Sequence, residues 1–311
     1  MSHILRYFTL AFVLGLGCTA VFGIKPGGSY DTRSITQKYP NITFTRVTTS
    51  DRYHLQLADI APTGKDKHVA VLICYPDSGN VKEWLGYGML LAERGYRAIM
   101  FDYRGFGGSD RFAIEKDTLY YDEFCTDASS AYTYIKKNYP KSKVGLFGMS
   151  MGSIMTTELA LKHKGDFIIG DSYVADLDSA IAKIEHIYGK KMAVPTGSYD
   201  YNADLAYVRQ PMLLLNGRYD TICEPNAAAF GGSRHVEAVV YNGGHLEGPR
   251  ALKEEYFSRI DRFIGGLDRA ERDGNRAVSP YAILLAMAAV GVLVQQALRR
   301  RSAAAGANLP S

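Results

Sequence analysis

The sequence predicts an α/β fold, with a mostly parallel sheet covered by helices on both faces, and three observations carry that reading. From Val69 to Ile264, short apolar runs alternate with longer helical runs, the pattern of strands joined by crossover helices. Val69 to Cys74 is continuously apolar, as a strand buried on both faces must be. Gly148-Met149-Ser150-Met151-Gly152 joins an apolar run to a helical one, so a serine stands at the apex of a strand, sharp turn and helix.

The elements follow in order. Ile42 to Val47 and Tyr53 to Leu57 alternate apolar and polar residues around a turn at Ser50-Asp51-Arg52, which predicts an antiparallel pair with one wet face. After the buried strand at Val69 come a helix over Glu83 to Arg94 and a strand over Tyr96 to Phe101. Asp122 to Asn138 is helical, stopped by Pro140. The strand Val144 to Phe147 leads into the serine turn, and Ser153 to His163 is the helix behind it. Phe167 to Gly170, Met212 to Asn216 and His235 to Tyr241 read as strands. Asp176 to Tyr188, Glu224 to Phe230 and Arg250 to Ile264 read as helices. Residues 173–210 form a short insert, room for a small lid at most.

Composition narrows the function classes. The chain has 311 residues, 47% of them hydrophobic, enough for one sizeable core, and a net charge of +4. Part of that excess is Arg299-Arg300-Arg301, and no basic stripe of the kind that binds nucleic acid is present. The cysteines, Cys18, Cys74, Cys125 and Cys223, have no metal-ligand spacing, and Cys74 belongs to a core strand. Gly105, Gly107 and Gly108 follow a strand but lack the lysine of a phosphate loop, so neither metal nor cofactor is called for.

Both ends are apolar. Residues 1–24 read as a signal peptide or N-terminal membrane anchor, because Tyr7 to Gly23 carries no charge and Lys25-Pro26-Gly27-Gly28-Ser29 breaks the chain after it. Residues 266–279 read as a charged linker and 280–301 as a transmembrane helix, followed by a tail, 302–311. At about 1.5 Å per residue the apolar run Tyr281 to Leu298 matches a bilayer core of about 30 Å. Arg6 and the arginine cluster both favour the cytoplasmic side, which leaves the central domain, 41–265, membrane-anchored and extracytoplasmic.

A serine hydroxyl is a nucleophile only beside a base and hydrogen-bond donors. In parallel sheets such groups sit in loops just past the carboxyl ends of strands. Asp220 follows the strand ending at Asn216, and His245 follows the strand ending at Tyr241. The order Ser150, Asp220, His245, each at its own strand end, is what a hydrolytic triad on this topology needs. Asp171 and Asp176 are alternative acids, one strand earlier; His235 precedes its strand and is a poor base candidate.

These motifs resemble the α/β-hydrolases, close to the serine aminopeptidase and monoacylglycerol-lipase-like branch, over roughly residues 43–264. Beside the serine turn, Asp102-Tyr103-Arg104-Gly105-Phe106-Gly107-Gly108-Ser109 is similar to that branch's D-x-R-G-x-G-x-S turn. The resemblance implies an eight-stranded sheet, an acyl-enzyme, and a loop-bracing role for Asp102 and Arg104. It also implies an oxyanion hole made by the backbone N–H groups of Met151 and Asp77, with Ser78 as the other candidate donor. Here the chain departs from the branch, since Tyr75-Pro76 stands where His-Gly is common, and Pro76 has no N–H to donate. Tyr173, Ile184, Tyr188, Met192 and Tyr199 are candidates to line a pocket. The expected substrate is a small-molecule or lipid ester or thioester; a peptide, or binding without catalysis, are the competing readings.

Overall fold

The computed structural model describes residues 23–277, apart from 163, 190, 195–200, 225–226 and 231–235. Of the terminal segments read from the sequence, the transmembrane helix at 280–301, the tail at 302–311 and all but residues 23–24 of the leader or anchor at 1–24 lie outside the described residues. Among the described residues no helix is long and apolar enough to cross a membrane. The chain falls into two units, one ending at Ile260 and one beginning at Asp261.

The first unit is built on strands β1 (Lys25–Pro26), β2 (Ile42–Thr48), β3 (His54–Ile60), β4 (Val69–Cys74), β5 (Ser78–Gly79), β6 (Arg97–Phe101), β7 (Lys143–Met149), β8 (Phe167–Asp171), β9 (Met212–Gly217) and β10 (Val236–Tyr241). Eight of them form one sheet in the order β10-β9-β8-β7-β4-β6-β3-β2. The pairs from β10 to β6 are parallel, and β3 and β2 are added antiparallel at one edge. The alternating pattern at 42–57 and the unbroken apolar runs beyond it thus mark two kinds of strand. One is wetted on a face, and the other is covered on both.

The core lies along the central strands. Leu72, Ile73, Ile99, Met100, Phe101, Leu146, Phe147, Ile168, Ile169, Leu213 and Leu215 are fully buried, each stabilising by about 1.5–3 kcal/mol relative to exposure. The helices are α1 (Thr32–Lys38), α2 (Val81–Glu93), α3 (Tyr121–Asn138), α4 (Met151–Leu161), α5 (Leu177–Tyr188), α6 (Tyr201–Asp204), α7 (Gly248–Leu252) and α8 (Glu254–Ala277). Asn80 caps α2 by accepting from the Glu83 N–H, and Asp176 caps α5 by accepting from the Ser179 N–H. Gly189 ends α5 in the left-handed conformation.

Three expectations change. In place of a helix over 224–230 there is a 3-10 turn at Ala227–Phe230. Pro225 disfavours a helical residue before it, and Gly231-Gly232 follows at once. The helix expected from Arg250 to Ile264 is split at Lys253, whose φ is 52°, into α7 and α8. The segment read as a linker after residue 265 is helical as far as Ala277, within the second unit.

Residues 23–38 carry a short strand and a helix. Lys25–Pro26 pairs in parallel with Ser78–Gly79 as a separate two-stranded ribbon. Proline has no N–H to give and sits here in a two-residue ribbon strand, where the ladder does not need one.

Candidate active site

The turn between β7 and α4 is built by its glycines. A Cβ on Gly148 would lie 2.5 Å from the Ser153 Cα, and one on Gly152 would overlap the Cys74 carbonyl oxygen. Only glycines let strand and helix approach this closely. Between them Ser150 is held at φ 49°, ψ −120°, a strained conformation for a residue with a side chain. Its N–H donates to the Asp171 carbonyl oxygen at 3.0 Å, and its own carbonyl oxygen accepts from the Ser153 N–H and hydroxyl.

Register brings the other two residues alongside. Met149 pairs with Asp171 and Gly217 with Tyr241, so the chain leaves β7, β8, β9 and β10 at one rim of the sheet. There His245 Nε2 lies 2.9 Å from the Ser150 Oγ, and His245 Nδ1 lies 2.9 Å from an Asp220 carboxylate oxygen. The other Asp220 oxygen accepts from the Ile222 and Cys223 N–H groups at 3.0 and 2.9 Å. The residue after His245 is anchored too, because the Leu246 N–H donates to the Ser172 hydroxyl at 2.8 Å. With its proton on Nδ1, the imidazole turns a lone pair towards the serine hydroxyl.

The electrostatics follow from burial and these contacts. Burial works to raise the Asp220 carboxyl, but the bond and charge of His245 and the two N–H groups outweigh it. It lies below the ordinary carboxylate range. Burial works to lower His245, and the bond and charge of Asp220, with Asp77 and Asp171 adding, carry it above the ordinary imidazole value. Asp171 is pushed up to about 7 by burial, against the hydrogen bonds of Tyr256 and Tyr241. Those hydroxyls donate to its two oxygens at 2.7 and 3.2 Å.

The alternative acids are thereby placed. Asp176 caps α5, and Asp171 is held by two tyrosines, while Asp220 is the carboxylate bonded to His245. Asp220, Cys223 and His245 also have their ligand atoms within 4.8 Å of one another. The Asp220 oxygens in this group are already taken by His245 and two N–H groups. The Cys223 thiol is pushed well above its ordinary value by burial, which opposes the thiolate a metal ligand requires.

Met151 opens α4, where first-turn N–H groups have no intrahelical acceptor, and it borders a cavity shared with Ser150 and Asp77. The Asp77 carboxyl is raised by burial, against the pull of His245 and of the Gly23 backbone N–H. Tyr75, in the position of the departure noted in the sequence, is fully buried. Its hydroxyl donates to Asp102 at 3.3 Å. Asp102 also accepts from Tyr30 and from the Val81 and Gly108 N–H groups. Arg104 is clamped between buried Asp127 and Asp51. Both residues of the glycine-rich turn thus brace loops and do not meet the serine.

The cavity beside Ser150 is apolar and holds about 70 Å³. Ile154, Leu177, Ile181, Ile184, Met192 and Ile222 supply much of its wall. Of the residues named from the sequence, Ile184 and Met192 are among these; Tyr173 and Tyr188 are not, and Tyr199 lies outside the described residues. Tyr173 is buried, with its hydroxyl bonded to Thr157 and its ring edge-on to Phe230. Its neighbours Ser172 and Val174 are tied to Leu246 and Ser153. Ile24 and Leu119 also line the cavity; both come from segments whose sequence carries no site motif.

The sheet order and the strained strand-to-helix serine turn give this chain an α/β-hydrolase fold. Residues 85–170 match the family model described as serine aminopeptidase, S33. An esterase from Pyrococcus furiosus superposes with a TM-score of 0.63 at 20% identity, over 78% of this chain and 98% of that one. An α/β serine hydrolase without a lid from Xanthomonas campestris has a TM-score of 0.53 at 15% identity, over 78% and 96%. A serine hydrolase homologue from Coxiella burnetii has a TM-score of 0.53 at 17% identity, over 72% and 97%. At these identities the likeness is one of fold; the family-model match, over residues 85–170 alone, agrees with the branch that the serine turn and the glycine-rich turn resemble.

Proposed function

We propose that this protein is a serine hydrolase that cleaves a carboxylic ester or thioester through an acyl-enzyme. Ser150 is the nucleophile, His245 the general base and then acid, and Asp220 the group that orients and charge-stabilises the imidazole. The Ser150 proton passes to His245 Nε2 as Oγ bonds the substrate carbonyl carbon. The carbon–oxygen or carbon–sulfur bond then breaks, and His245 returns the proton to the leaving group. Water repeats the sequence and frees the acid. The Met151 and Asp77 N–H groups are the donors to the oxyanion.

The observation that carries the reading is the Ser150 hydroxyl, on a strained turn, 2.9 Å from His245 Nε2. The apolar cavity beside it suits the acyl group. A fluorophosphonate probe is expected to label the wild type and not Ser150→Ala; equal labelling of both would end the proposal. The match to a serine aminopeptidase model favours a second reading, cleavage of amides by the same residues. Paired panels of esters and aminoacyl amides separate the two by kcat/KM. The uncharged runs Tyr7 to Gly23 and Tyr281 to Leu298 support a membrane-tethered, extracytoplasmic enzyme. Protease added to intact cells is then expected to digest the domain, and a protected domain would refute that topology.

A further inference from the structure

Residues 23–30 form a strap that the proposed chemistry leaves without a role. It is stitched down along its length by main-chain bonds. The Ile24 N–H donates to the Lys116 carbonyl oxygen at 2.8 Å, the Lys25 N–H to Asp77 at 2.8 Å, and the Gly27 N–H to Gly79 at 2.7 Å. In return, the Gly107 N–H donates to the Gly27 carbonyl oxygen at 2.9 Å and the Asn80 side-chain amide to Gly28 at 2.9 Å. The Tyr30 hydroxyl donates to Asp102 at 2.8 Å. The strap therefore joins two separate loops, 77–80 and 107–119, that border the cavity through Asp77 and Leu119.

Its contact with Asp77 is directional. The Asp77 carbonyl is turned to the strap, which fixes the plane of the peptide that follows it. Gly27 fits against the loop because it has no side chain: a Cβ there would lie 2.7 Å from both the Gly79 carbonyl carbon and the Asn80 amide nitrogen. One side chain of the strap, Ile24, is fully buried and faces the same small cavity as Ser150.

We propose that Ile24 is a specificity-determining residue, a wall side chain held in place by the strap, which restricts the enzyme to short, uncharged acyl groups. This rests on the hydrolase reading above. An apolar cavity of about 70 Å³ has little room for a long chain, and among the described residues every wall residue apart from Ser150 and Asp77 is apolar or a buried cysteine. Longer acyl groups reach the serine only if the strap side of the wall recedes.

The test is the ratio of kcat/KM for nitrophenyl octanoate to that for nitrophenyl butyrate, read in each variant of the full chain. This ratio does not depend on the fraction of protein that is active. Ile24→Ala is expected to raise it about tenfold, since a few methylenes in an apolar pocket discriminate by at least that much. Ile24→Val shifts it in the same direction with the least disturbance of the fold, and Ile24→Trp lowers it. Gly27→Ala, which lifts the strap without altering the Ile24 side chain itself, is also expected to raise it. An unchanged ratio in the Ile24 variants, with hydrolysis still abolished by Ser150→Ala, overturns the inference and leaves the hydrolase standing. A wild type inert to both esters and unlabelled by the fluorophosphonate probe removes the hydrolase reading and this one together.

Discussion

Replacing Gly148 by alanine tests how the turn holds its serine. The added Cβ lies 2.5 Å from the Ser153 Cα and 2.8 Å from the Gly152 carbonyl oxygen, and ordinary contact begins at 3.4 Å. The first turn of α4 must therefore part from β7 by about 0.9 Å. Both atoms belong to the main chain, so no side-chain rotation relieves the overlap. Ser150 is the hinge between strand and helix and moves with them, while His245 is held from other strands. A misplacement of about 1 Å costs on the order of 100-fold in rate. We expect kcat/KM on a short nitrophenyl ester to fall by about that factor, and phosphonate labelling to slow in parallel. Overpacking also costs about 1–3 kcal/mol of stability, which lowers Tm by several degrees. A Gly148→Ala variant with wild-type kcat/KM and Tm would show that strand and helix separate freely, and the close-packing argument would be wrong.

Three further outcomes follow from the same geometry. Asp220→Asn keeps the shape but lets the imidazole adopt the wrong tautomer, so kcat is expected to fall on the order of 10⁴-fold with the fold retained by circular dichroism; a fall under tenfold would move the orienting role elsewhere. His245 must be neutral to take the serine proton, so kcat/KM rises as pH passes its pKa, which lies above the ordinary 6.5. Asp77→Asn removes one of the charges that hold it there and is expected to shift the inflection to lower pH, whereas an unmoved inflection would show that Asp77 does not act on His245. Arg104→Ala leaves the buried Asp127 carboxylate without its charged partner, at a cost of about 3–5 kcal/mol in urea unfolding; a loss below about 1 kcal/mol would deny the bracing role.

Much of the fold and the polar corner of the site is legible in the sequence because each rests on a local rule. A strand buried on both faces has to be apolar throughout, so the run from Val69 reads as one before any contact is known. Gly148 and Gly152 flank a serine because that turn has no room for a Cβ. Asp220 and His245 stand just past their strands, where a parallel sheet exposes its loops. Chain order and strand ends make them candidates to stand beside Ser150. The split at Lys253 and the short turn at Ala227 were less legible, because each depends on backbone conformations that composition alone does not specify.

What only the tertiary structure decided is the apolar half of the site. Ile24 lies far along the chain from Ser150 and carries no motif; it joins the cavity because the strap's main-chain groups find acceptors on two distant loops. Tyr173, near the same strand end as Asp171, is buried against Thr157 and Phe230 and does not line the cavity. Which of Asp171, Asp176 and Asp220 meets the histidine was settled by competing partners: two tyrosine hydroxyls, a helix terminus, and His245 itself. Polar chemistry at strand ends leaves a mark in sequence because few residue types can perform it. A hydrophobic wall leaves none, since any apolar side chain of suitable volume serves and its place is set by contacts between segments far apart along the chain.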